Sequence, residues 1–198
     1  MNETARRPYR MASRAAGAAA TGERILDAAV AAFWEQPTGQ VSLDDVARRA
    51  GVTVQTVIRR FGGRDGLMAA GVERESRRVE AERDPAAVTS VEEAVSQLVT
   101  HYEEMGDRVL AMLAEEVRNP ALGDVAKAGR QFHRGWCETV FASVLAGLSG
   151  SRRERRLAQL CAVCDVYTWK LLRRDAGLSR PETELAMQEF IQPLTEES

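Results

Sequence analysis

The chain has 198 residues, 44% of them hydrophobic and 28% charged, with a formal net charge of −2, enough apolar material for one large helical domain or a small one joined to a larger. No apolar run approaches the ~20 residues that span a bilayer, and the Ala/Gly stretch Ala15 to Ala20 is too short and too weakly apolar for a signal-peptide core. Three cysteines, an odd number, make no disulfide framework, so the reading is of a soluble, cytoplasmic protein with no membrane partner.

The charge is unevenly placed. Residues 1–64 carry ten arginines against six acidic residues, net +4, and the remainder nets −6. A basic head on an acidic body suits a polyanion partner for the head alone.

Residues 1–20 have few large apolar groups and no periodicity, and read as a flexible basic arm. Its Arg6, Arg7, Arg10 and Arg14 suit a neighbouring minor groove or a solubilising tail, and composition leaves both open. A first helix is predicted from about Gly22 to Trp34, with Ile25, Leu26, Ala29, Ala32 and Phe33 on one face. Pro37, Thr38 and Gly39 break it. Ser42 then caps a second helix, with Asp45 three residues on, and Gly51 ends that helix. Thr53 caps a third, which reaches Phe61 and stops at Gly62-Gly63. A fourth starts near Arg64 and runs through the charged stretch Glu73 to Glu82. After Asp84-Pro85, Ser90 and Glu93 form another capping box. Longer helices follow at about 91–104, 106–117, 121–148, 152–175 and 181–195. The fold class is all-α, without strands.

The informative segment is Val41 to Leu67, VSLDDVARRAGVTVQTVIRRFGGRDGL. Ala47 is small enough to let two helix backbones approach. Gly51, four residues on, stands where the chain leaves the helix with φ above zero. Val57, six further on, is a buried position of the next helix. This spacing is that of a helix-turn-helix. On the third helix Val54, Val57, Ile58 and Phe61 make an apolar stripe, and Thr53, Gln55, Thr56, Arg59 and Arg60 make a polar side suited to a major groove. Gln bonds adenine in bidentate fashion, and Arg bonds guanine or phosphate. Ser42, Thr53 and Arg64 are placed to hold phosphate oxygens.

Residues Thr21 to Leu67 resemble the DNA-binding domain of the TetR family of transcriptional regulators, in ERILDAAVAAF, in VSLDDVARRAGVTVQTV and in the closing RFGGRDGL. Ile58 stands where the family usually has a Tyr that touches DNA; it cannot donate a hydrogen bond, so that role is not carried over. Arg60 stands where the family often has Tyr or His, and Arg64 replaces a Lys with the charge kept. The resemblance implies a helix-turn-helix domain over 21–68 and a larger helical effector and dimerisation domain over 69–198. It also implies a homodimeric repressor that leaves its double-stranded operator when a small-molecule ligand binds.

Dimerisation is expected from the chemistry too, because one short helix reads too few base pairs for useful specificity. Leu157, Leu160, Cys161, Cys164, Tyr167 and Leu171 make one apolar side of 152–175, with Trp169 outside it. That stripe, with 181–195, suits either a two-fold four-helix interface or the core of one protomer. Candidate lining residues for the implied ligand pocket are His101, Tyr102, Met105, Met112, Phe132, Trp136 and Trp169, and each reads equally as core packing. Cys161-x-x-Cys164 lies in a Leu/Ala/Val helix without a second ligand pair. With Cys137, His101 and His133 elsewhere in the chain, a thiol or metal sensor is the alternative, but those thiols read as small buried residues, and no metal or cofactor is expected. An enzyme is not expected either: there is no Gly-rich phosphate loop, no nucleophile elbow and no Glu-x-x-His pair. An effector-independent DNA-binding protein remains an open alternative, an α-helical enzyme a remote one.

Overall fold

The computed structural model describes residues 6–36 and 40–196, and for residues 6–15 and 121 the backbone alone. Its secondary structure among those residues is helical throughout. The chain forms two compact units that divide after Arg77, further along than the expected boundary at 68. Helix α4 (Arg64–Glu82) contributes residues to both.

In the first unit, α1 (Arg6–Glu35) begins well before Gly22. From Arg6 onward the expected irregular arm is therefore helix. Alanine is the strongest helix former, and an Ala-rich run continues a helix without an apolar face to announce it. The expected break at Pro37 to Gly39 lies outside the described residues. Further along α1, Ile25, Ala28, Ala29 and Ala32 are buried.

The sequence sets both ends of α2 (Leu43–Ala50). The Ser42 hydroxyl accepts the Asp45 N–H at 3.1 Å, and Asp44 and Asp45 place negative charge at the positive end of the helix. Gly51 turns the chain at φ 65°, a conformation costly for any residue with a Cβ. Thr53 caps α3 (Val54–Phe61) in the same way, accepting the Thr56 N–H, and Gly62 closes it at φ 78°. The core of this unit gathers Ile25, Ala29, Ala32, Val46, Ala47, Ala50, Val57 and Leu67. Arg49 bonds Asp45 on its own helix and Glu35 on α1, joining the two.

In the second unit a single 3-10 turn, Pro85–Ala87, follows the end of α4. Ser90 then caps α5 (Val91–Glu115) by accepting the Glu93 N–H at 3.2 Å. α5 is one continuous helix where two were expected on either side of residue 105. Gly106 does not end it; a Cβ there would stand 2.5 Å from the Trp169 indole, so the glycine makes room for a ring. The predicted 121–148 helix is two, α6 (Pro120–Val140) and α7 (Ala142–Ala146), parted at Phe141.

The predicted 152–175 helix is likewise interrupted. α8 (Gly150–Val163) stops at Cys164, Asp165 caps α9 (Val166–Lys170), a π-turn Leu171–Asp175 follows, and α10 (Arg180–Glu196) ends the described chain. The break resets the helical phase. Leu157, Leu160, Cys164 and Trp169 are buried, whereas Tyr167 and Leu171 are 53% and 59% exposed. The expected apolar stripe is therefore corrected: Trp169 joins it, and Tyr167 and Leu171 leave it. The core also holds Leu98, Val99, Tyr102, Trp136, Phe141, Met187 and Ile191.

Candidate nucleic-acid interface

On α3 the fold separates an inward from an outward face. Val57 is fully buried, and Val54 and Phe61 are half-buried against the same core. Thr53, Gln55, Arg59 and Arg60 are exposed, and Thr56 is half-exposed beside them. Ile58 is 39% exposed and belongs with the outward set, which corrects its expected place in the apolar stripe. With Val57 as the inward pivot, the next residue is turned about 100° from it around the helix. An apolar side chain thus stands among the polar ones, where a thymine methyl offers the matching contact.

The polar groups differ in how far they are already engaged. Among the described residues, the side chains of Gln55 and Arg59 have no hydrogen bond or ion pair with the protein. Thr53 and Thr56 share a hydroxyl contact at 2.9 Å. Ser42 spends an oxygen lone pair on its cap and keeps its own proton to donate. The Arg64 Nε–H donates to the Val41 carbonyl at 3.2 Å, so part of this guanidinium ties α4 to the start of α2.

Arg60 has a seat the sequence did not announce. Its guanidinium rests against Gly22 of α1, where a Cβ would stand 2.6 Å from Nε and from Nη2. A Cβ there would have to displace the far end of the Arg60 side chain. A glycine inside a helix costs about 1 kcal/mol relative to alanine, and that cost was the available signal of a close approach.

In the second unit, five of the seven candidate pocket residues are buried: His101, Tyr102, Met105, Trp136 and Trp169. Met112 and Phe132 are half-buried. Tyr102 lies next to both the His101 ring and the Trp169 ring, at 5.5 and 6.0 Å between centroids. Their polar atoms are largely satisfied within the protein. The Tyr102 hydroxyl donates to the Cys164 carbonyl at 2.8 Å, Trp136 Nε1 to Gln97 at 3.2 Å, and Trp169 Nε1 to Glu103 at 3.1 Å. Sequence reasoning missed Arg83, which is 4% exposed with its guanidinium over the Phe132 and Trp136 rings at 5.4 and 5.0 Å. Arginine is almost never fully buried, and nothing in the local pattern around Asp84-Pro85 marks it.

Residues 25–70 match the sequence model of the family described as bacterial regulatory proteins, tetR family. No curated protein matches the chain. Among solved structures, the chain is similar to a transcriptional regulator from Rhodococcus sp. Rha1, at 22% identity and TM-score 0.64, over 87% of this chain and 95% of that one. It is similar also to the SmeT–triclosan complex, at 20% identity and TM-score 0.65, over 88% and 91%. A third is the regulator FadR from Bacillus subtilis in complex with stearoyl-CoA, at 17% and 0.58, over 88% and 97%. At these identities the likeness is one of fold: an N-terminal helix-turn-helix domain followed by a helical domain. No helix among the described residues is long and apolar enough to cross a membrane.

Proposed function

By its N-terminal domain the chain belongs to the tetR family of bacterial regulatory proteins, and on that premise we propose that it is a cytoplasmic homodimeric repressor, released from operator DNA by a small-molecule ligand of the second unit. The observation that carries the reading is the outward face of α3. Gln55 and Arg59 stand exposed and unengaged on a helix whose opposite side is buried. Free donors on a fixed helix suit base edges in a major groove, while Ser42, Thr53 and Arg64 sit at helix ends where phosphate oxygens are held.

A dimer is supported by apolar groups left outside on the last elements. Tyr167, Leu171, Leu185 and Phe190 are each at least half exposed. Leu171 and Phe190 also line an apolar groove with Ala162, Val163 and Leu172. A second copy covering that face would present two α3 helices to a near-palindrome. Effector release is supported by the two similar proteins whose structures hold triclosan and stearoyl-CoA. Coupling would be reciprocal: whatever factor the ligand takes from operator affinity, the operator takes from ligand affinity. The internal hydrogen bonds of Tyr102, Trp136 and Trp169 favour a second reading, DNA binding without an effector, which operator affinity unmoved by any metabolite would support.

Fluorescence anisotropy on duplexes tiled across the upstream region of its own gene tests the reading. One duplex is expected to be preferred, with Gln55→Ala and Arg59→Ala weakening it. Each lost base contact costs about 1–3 kcal/mol, whereas a lost phosphate contact weakens all duplexes alike and lowers the salt slope by about 1. Binding that ignores both substitutions would overturn it.

A further inference from the structure

The sequence offers Cys161-x-x-Cys164 without a second ligand pair, and the fold supplies one. α6 packs against α8 and brings His133 and Cys137, one helical turn apart, to Cys161. The ligand atoms of these three residues lie within 4.8 Å of one another, and Cys164, three residues beyond Cys161, is buried in the same core cluster as Cys137. Two of the three cysteines and one of the two histidines of the chain meet in this group. We propose that His133, Cys137, Cys161 and Cys164 form a binding site for a thiophilic divalent cation of the zinc class.

A tetrahedral site with Zn–S near ~2.3 Å and Zn–N near ~2.0 Å needs ligand atoms roughly 3.5–3.8 Å apart. Cys137 Sγ and His133 Nε2 already stand at 3.9 Å. The other separations within the group of three close by at most about 1 Å, within reach of side-chain rotation alone. Three sulfurs and one imidazole suit zinc and exclude the hard cations, which take oxygen. Cys137 and Cys164 are buried, and half-buried Cys161 and His133 give the cation its way in.

Arg83 is an independent pointer. Its guanidinium is buried, Nε has no partner, and among the described residues no carboxylate neutralises it. A buried cation without a counter-charge is costly. A zinc ion held by three thiolates and a neutral imidazole carries one net negative charge, which Arg83 would balance. Arg83 Nη2 donates to His133 Nδ1 at 3.1 Å, so the ring proton is on Nε2 and goes to the Cys161 carbonyl at 3.0 Å. Ligation moves that proton to Nδ1, frees Nε2 for the metal and turns Arg83 toward the thiolates. Each thiol gives its proton to solvent, three in all.

Titration of the reduced full-length protein with Co(II), then displacement by Zn(II), tests the site independently of DNA. The expected result is one ion per chain with a thiolate-to-cobalt charge-transfer band, lost on adding zinc. Cys161→Ser, at a half-exposed position, should weaken zinc on the order of 100-fold and reduce the band, with helicity by circular dichroism unchanged; His133→Gln should weaken it about 10-fold or more. Absence of the band, or zinc affinity in both variants equal to that of the unsubstituted protein, would overturn the proposal.

Discussion

Arg59 and Arg60 are adjacent in the sequence yet differ in their surroundings. Arg59 stands unengaged in solvent, and Arg60 lies on Gly22 of α1. In Gly22→Ala the new Cβ would meet only the mobile end of Arg60. Helix propensity should therefore dominate, and stability to urea should rise by up to about 1 kcal/mol, with operator affinity falling no further than in Arg60→Ala. A loss of stability would mean that Arg60 is held rigidly. His101 makes a second residue-scale prediction. Burial, with the charges of Arg83 and Arg78, lowers its pKa to about 4. Because the folded value is depressed, the unfolded chain binds the proton first as pH falls below ~6.5, and stability is lost between there and about 4. The full effect is on the order of 3 kcal/mol. Urea unfolding at pH 7 and pH 5, above most carboxylate titrations, should show a drop that His101→Gln diminishes. The sequence made Val57, Ala47 and Gly51 readable because a helix-turn-helix constrains each by size or φ. Ile58 was misplaced because a three-residue apolar spacing also fits a helix that turns one of them outward.

At the scale of elements, caps were legible and interior breaks were not. Ser42, Thr53 and Ser90 each accept the N–H three residues on, a rule the local sequence carries whole. Gly106 carried no such rule. Two helices were expected on either side of residue 105, whereas the partner of Gly106, Trp169, lies far along the chain and reaches it only by folding. Gly106→Ala would push a methyl into a ring that is fully buried and held by Glu103. Unlike Gly22→Ala it should destabilise, by about 1–3 kcal/mol, as a lower urea midpoint with unchanged m. An increase in stability would contradict the close approach. The break at Asp165 was missed for a related reason: an apolar run crosses it, and only the Asp165 cap on Tyr167 shows the phase restarting.

For the whole molecule, the helix-turn-helix spacing made the helical N-terminal domain readable from sequence. The second unit was legible as helical but not in what it assembles. The meeting of His133 and Cys137 with Cys161 depends on α6 lying against α8, and no local pattern encodes that. The exposed apolar side chains belong to this scale as well. Leu171→Glu with Phe190→Glu should shift sedimentation from dimer to monomer and lower operator affinity at least 10-fold, since only one half-site would be read. A double variant that remains dimeric would place the interface elsewhere. The central claim, two α3 helices reading one operator, is tested most directly by selecting bound duplexes from a random library and sequencing them. The account predicts a two-fold symmetric motif with half-site centres about one helical turn apart, or a multiple of it, which Gln55→Ala relaxes at one position in each half. An enriched motif without symmetry, or no enrichment at all, would contradict it.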